Sequence, residues 1–269
     1  MVSLNKDICK DTCLYRHRSR RFAADSSFLT RLFTIERMTD QRWTDVDRYL
    51  HTTLFAPDAV LEATLEANAA AGLPAIDVTA TQGRFLQLLV RILGARRVLE
   101  IGTLGAYSTI WMARALPADG TLITLEFDPH HAAVARANLA RAGLSKTVEL
   151  RLGPAADSLE RMVLEGEAPF DLIFIDADKP NNAVYLDWAM KLAHPGTLLI
   201  CDNVVRDGEV ANPESTDRNV IGTRTMFAEM GADPRLIPTA LQTVGAKGYD
   251  GFAIALVADV AGGAQGTSD

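Results

Sequence analysis

The order of apolar and polar positions changes character near residue 45. From about Asp45 onward, helical-period segments alternate with strand-like ones, the signature of a parallel sheet with crossover helices. The clearest predicted helix runs from Thr79 to Leu93, where Phe85, Leu88, Leu89, Ile92 and Leu93 recur at the helical period. Thr79 and Gln82 have capping-box spacing, and Gly94 is placed to turn left-handed beyond the last helical residue. A second helix is bracketed by Asp128 as N-cap, Pro129 at its first position and Gly143 as its stop.

Five short apolar runs read as strands: Arg97–Ile101, Thr121–Glu126, Val148–Leu152, Asp171–Asp176 and Thr197–Asp202. Two more, Leu236–Val244 and Phe252–Val257, flank the turn-rich segment Gly245–Gly251 and are expected to form an antiparallel hairpin at the sheet edge. The pattern predicts one α/β domain over residues 38–258, with no internal repeat. Residues 1–37 carry a cluster of Arg16, Arg18, Arg20 and Arg21 with little periodicity. They are expected to be a disordered extension, or to precede a true start at Met38. Residues 259–269, rich in Gly, Ala and Ser, are expected to be a flexible tail.

Composition narrows the function classes. The chain has 269 residues, with 27 basic and 34 acidic side chains and a net charge of −7. That balance lacks the basic footprint of a nucleic-acid binder. Cys9, Cys13 and Cys201 supply neither a disulfide framework nor paired zinc knuckles, so a reducing cytoplasmic setting is expected. No apolar run reaches the roughly 18 residues of a membrane span.

In an open parallel sheet, ligands bind beyond the carboxyl ends of the strands, where the strand order reverses. Acidic residues gather at those ends: Glu100, Glu126, Asp176, then Asp202 with Asn203. The first strand leads into Gly102-Thr103-Leu104-Gly105, whose spacing is not the Gly-x-Gly-x-x-Gly of a pyrophosphate-binding turn. Glu126 is suited to accept hydrogen bonds from both hydroxyls of a ribose, and nearby acid suits a cationic sulfonium. A dinucleotide therefore fits less well than S-adenosylmethionine (SAM), but Glu126 would serve either and marks a nucleoside without saying which; a bare strand–helix turn is a further alternative. If the fourth and fifth strands are neighbours, Asp176, Asp202 and Asn203 converge roughly 5 Å apart. Such an all-oxygen set suits Mg²⁺, Mn²⁺ or Ca²⁺. The plain alternative is that these residues are helix N-caps.

The segments Glu100-Ile101-Gly102, Asp176-Ala177-Asp178-Lys179 and Asp202-Asn203 resemble the cation-dependent O-methyltransferases typified by the caffeoyl-CoA and catechol enzymes. The resemblance extends from about Asp45 to Val257. It implies a Rossmann-like class I methyltransferase fold, with a mostly parallel seven-stranded sheet and a C-terminal antiparallel hairpin. It also implies an enzyme that moves a methyl group from SAM to a hydroxyl of a small catechol-like acceptor, aided by a divalent cation, Mg²⁺ before Mn²⁺ or Ca²⁺.

Carried over by position, the cation falls to Asp176, Asp202 and Asn203, and the catalytic lysine is Lys179. SAM falls to Glu100, Gly102, Thr103 and Ser108 of the first motif, to Glu126 at the ribose, and to Val78, Ala155 and Asp178. The acceptor falls to Asp176 and Asp207. Val78 stands where relatives often have threonine, leaving only a backbone contact. Asp207 stands where plant relatives have asparagine, which weakens the case for acyl-CoA acceptors. A homodimer is also implied, with neither nucleic acid nor membrane as partner. Rival readings are an NAD-linked oxidoreductase and a non-catalytic SAM-binding protein; the first lacks the pyrophosphate glycines and the second leaves Lys179 unused. Trp43 and Trp188 are expected to pack rather than to line the acceptor pocket.

Overall fold

Apolar runs long enough to bury both faces become the centre of a sheet. In the computed structural model, which describes residues 41–259, the runs are β1 (Arg97–Ile101), β2 (Thr121–Glu126), β3 (Val148–Leu152), β4 (Phe170–Ile175) and β5 (Ala193–Asp202). The hairpin strands are β6 (Leu236–Gly245) and β7 (Gly248–Val257). They form one seven-stranded sheet in the order β3-β2-β1-β4-β5-β7-β6. β1 to β5 pair in parallel, whereas β7 pairs antiparallel with both β5 and β6. This is the expected fold, and it places the reversal of strand order between β1 and β4.

Helices cover both faces: residues 41–54 (α1), Ala59–Ala70 (α2), Ala80–Leu93 (α3), Tyr107–Ala113 (α4), Pro129–Arg141 (α5), Ala155–Leu164 (α6), Asn182–Lys191 (α7) and Arg218–Ala232 (α8). Strand alternation divides the core in two. Leu99, Ile101, Ile123 and Ile173 pack with Leu159 of α6, Tyr185 of α7 and Met226 of α8. Val98, Leu122, Leu172 and Phe174 pack with Leu86 of α3, Ile110 of α4 and Ala135 of α5. Each fully buried side chain of this kind contributes about 1.5–3 kcal/mol.

The helix signals behave as read. Thr79 Oγ1 accepts the Gln82 N–H at 3.2 Å, and Gly94 lies at φ 61°. The Asp128 carboxylate accepts the N–H groups of His130 and His131, with Pro129 at the first position. The hairpin differs from expectation. Pairing continues to Gly245↔Gly248, so the turn shrinks to Ala246 and Lys247. Glycine composition suggested a loop, but Gly251 is a strand position where a Cβ would lie 2.2 Å from the Leu241 carbonyl oxygen. Only a residue without Cβ allows the two backbones to pair that closely. The N-terminal extension falls outside the described residues, as does all of the tail beyond residue 259. No described helix is long and apolar enough to cross a membrane.

Candidate active site at the carboxyl edge of the sheet

β1 must end in a glycine. Gly102 has φ 100°, and a Cβ there would lie 2.1 Å from the Asp176 carbonyl oxygen. The ends of β1 and β4 are thereby held together, with the Asp176 N–H donating to the Ile101 carbonyl at 2.8 Å. Leu104 and Ala106 follow at φ 50° and 69°, a region that non-glycine residues seldom occupy outside functional turns. Glu126, from the end of β2, braces this turn: its carboxylate accepts the N–H groups of Thr103 at 3.2 Å and Leu104 at 2.8 Å.

Above these ends opens a cavity of about 750 Å³. Seven of the eight positions expected to hold SAM line it: Val78, Gly102, Thr103, Ser108, Glu126, Ala155 and Asp178. The eighth, Glu100, is fully buried and is not part of the wall. Its carboxylate instead accepts hydrogen bonds from Ser108, Thr109 and Thr124. Burial pushes its pKa up to about 7, while those three hydroxyls pull it back. Glu100 therefore supports the wall by orienting Ser108. Asp178 is similarly tied, accepting from Tyr185 and Asn181.

β4 and β5 are parallel neighbours, with Ile175 opposite Cys201, so Asp176 and Asp202 leave adjacent strand ends together. Asp176, Lys179 and Asn203 line the cavity, and Asp202 lies just behind them, 5% exposed. Burial, and then the negative charge of Asp176, hold the Asp202 pKa well above the usual carboxylate range. Lys179, the Asn203 N–H and the Gln82 amide act in the opposite sense. The N-cap reading fails for Asp202 and Asn203, since no helix begins until Glu209. Among the described residues no group of three His, Cys, Asp or Glu side chains forms a metal cage. The candidate set is two carboxylates and an amide, all hard oxygen donors, and it suits Mg²⁺, Mn²⁺ or Ca²⁺. Between these residues, Cys201 is buried and its thiol is pushed up to about 12 by burial, so it stays protonated and outside that set.

Lys179 is 6% exposed and donates to Asp176 Oδ1 at 2.9 Å. Its backbone is pressed against α8, where a Cβ on Gly222 would lie 2.2 Å from the Lys179 carbonyl oxygen. Asp207 is exposed and lies outside the wall; its neighbour Arg206 lines the cavity. Sequence reasoning also missed Gln82, which reaches the site from α3, and Tyr185, which fixes Asp178. Neither carries a local signal, because each acts across a tertiary contact.

A second cavity of about 580 Å³ lies between α1, α2, α3 and the hairpin turn, sharing Asp77 and Val78 with the first. There the Arg84 guanidinium lies over two neighbouring rings, those of Phe55 and Trp111, at 5.1 and 4.8 Å from their centres. Trp188 packs on the core under Lys191, and neither Trp43 nor Trp188 lines either cavity.

Comparison with known proteins points the same way. Residues 55–255 match the model of the O-methyltransferase family. A catechol O-methyltransferase of Niastella koreensis is 51% identical over 220 residues, covering 82% of this chain and 100% of that protein. The crystal structure of an O-methyltransferase from Bacillus cereus in complex with S-adenosylhomocysteine (SAH) is 55% identical, with a TM-score of 0.80, covering 81% and 99% of the two chains. The SAM complex of the Streptomyces achromogenes O-methyltransferase of tomaymycin synthesis is 44% identical, with a TM-score of 0.79 and coverage of 82% and 99%.

Proposed function

The chain belongs to the O-methyltransferase family, as a SAM-dependent enzyme, and from that premise we propose that it methylates one hydroxyl of a catechol-like aromatic acceptor with the help of a divalent cation. The reading rests on one observation: two carboxylates leave adjacent parallel strands beside a buried lysine, Asp176 on the wall of the cavity that suits SAM and Asp202 just behind it. Close carboxylates repel one another, and a cation between them removes that penalty.

Asp176, Asp202 and Asn203 would hold the cation. Bound there, it supplies Lewis acidity that favours the ionised form of an acceptor hydroxyl. Two adjacent oxygens on the acceptor fit such a centre, which is why a catechol is preferred to a lone phenol. Lys179, anchored on Asp176, receives the hydroxyl proton when its amine is neutral, or as an ammonium balances the phenolate with its charge. Glu126 holds the ribose hydroxyls, and Gly102 lets the cofactor approach the backbone. The acceptor oxygen then attacks the methyl carbon in line with the departing sulfur. Orientation by the cavity walls is worth about 7–11 kcal/mol of the barrier in such a step. The unpaired, buried Cys201 is in keeping with a reducing cytoplasmic setting. A homodimer is proposed as the working unit.

Removal of divalent cations should abolish catechol methylation, and added Mg²⁺ should restore it. Asp202→Ala should lose that stimulation while calorimetry finds SAM affinity within a few-fold of wild type. Full activity in excess chelator would refute the cation's role. Lys179→Ala should lower kcat by about a hundredfold, within the range of general acid–base catalysis, with SAM binding kept. Unchanged turnover would remove Lys179 from the chemistry.

A further inference from the structure

The connection from β5 to α8 is a turn held open by the opposite strand. Asn203, Arg206 and Asp207 lie at φ 55°, 56° and 55°, with Gly208 at 85°. Three non-glycine residues in this region need outside support. Asp250 of β7 provides it: Oδ1 accepts the N–H groups of Val205 at 2.9 Å and Arg206 at 3.0 Å, as well as that of Gly251 at 2.9 Å. The Asp207 N–H donates to the Tyr249 carbonyl at 3.2 Å, and the Val204 N–H to the Gly251 carbonyl at 3.0 Å. The turn so fixed puts Arg206 on the cavity wall together with Asn203.

The charge of Arg206 is unanswered. Among the described residues no acid forms an ion pair with it. Its Nε is buried and has no hydrogen-bond partner. The other lysine or arginine on this wall, Lys179, is already bonded to Asp176. A guanidinium presents a planar fork that matches a carboxylate, so an unpaired one facing a cavity calls for an anion on the ligand. Its place in the sheet indicates which ligand. Glu126, suited to the ribose, ends β2, whereas Arg206 follows β5, three strand positions away. The acceptor end of the cavity is the nearer one.

We infer that Arg206 is the acceptor-specificity residue and that it pairs with a carboxylate, selecting catechols that bear an anionic side group over neutral ones. This rests on the catechol reading above. The probes are protocatechuate and neutral methylcatechol, offered to wild type, Arg206→Gln and Arg206→Lys with SAM and Mg²⁺. Wild type should favour protocatechuate in kcat/KM by about tenfold or more, the strength of a charge-assisted hydrogen bond, and mainly through KM. Arg206→Gln should erase that preference while leaving methylcatechol within about threefold, and Arg206→Lys should keep part of it.

A preference untouched by Arg206→Gln would overturn the assignment. So would a parallel loss of SAM and SAH affinity, which would make the cofactor's own carboxylate the partner. If neither catechol is methylated, the catechol reading falls by itself. Calorimetry of the two probes with SAH-loaded protein then decides the assignment. Tighter protocatechuate binding that vanishes in Arg206→Gln supports it, and equal binding of the two overturns it.

Discussion

Gly102 and Glu100 sit two residues apart on one strand end and do opposite things. Gly102 removes an obstacle, since any side chain there would strike the Asp176 carbonyl. Glu100 adds a constraint, tying Ser108, Thr109 and Thr124 to a single buried carboxylate. That constraint carries a pH signature. The glutamate titrates near 4.5 when exposed and, held up by burial, near 7 in the folded chain. Between these values the native state keeps a proton that the unfolded chain has already lost, so stability falls as pH rises from about 4.5 to about 7. Above that window the deficit is constant. Glu100→Gln should flatten the fall, and urea unfolding from pH 5 to 8 measures it; equal slopes in both proteins would refute the assignment. The sequence marked Glu100 as part of the first motif, yet its supporting role was not readable there, because Thr124 meets it only through the pairing of β1 with β2.

Elements whose signals are local were legible, and those defined by contact were not. Asp128-Pro129 and Gly143 mark the ends of α5 within its own sequence, and the strand runs lie within a few residues of the observed ones. The Arg206 turn carried no such mark, because Asp250 is more than forty positions away along the chain. α8 shows the same limit. It is weakly amphipathic, and nothing in its pattern announces that Gly222 is the point where it seats Lys179. Gly222→Ala would set a Cβ 2.2 Å from the Lys179 carbonyl oxygen and 2.7 Å from Pro180 Cα. Both obstacles are backbone, so the helix or the lysine turn must shift. Overpacking of this kind costs about 1–3 kcal/mol. Turnover should fall about tenfold or more, and SAH affinity by less, since Glu126 lies at the end of β2, away from α8. Wild-type kcat and thermal stability together would show that the close approach is unimportant.

At the scale of the molecule, the sheet has one protected edge region and one open one. The candidate site residues occupy the carboxyl ends of the central strands, flanked by helices, whereas β6 ends the sheet with eight consecutive exposed positions, Ile237 to Val244. An edge strand of that length with apolar side chains is a template for association unless something covers it. Ile237 and Leu241 lie on one face, 62% and 52% exposed, and Leu256 of β7 stands directly opposite Ile237. A second copy of the chain is the occupant that the family resemblance implies, and pairing around β6 would cover this patch without touching the cavity wall. Light scattering at micromolar concentration should therefore give twice the chain mass. Ile237→Lys combined with Leu241→Lys should give a single chain mass with an unchanged circular dichroism spectrum, because both side chains are more than half exposed. Activity per chain should survive if the site is complete within one copy, as the cavity lining indicates. A wild-type monomer, or a dimer indifferent to both lysines, would show that β6 is not the interface.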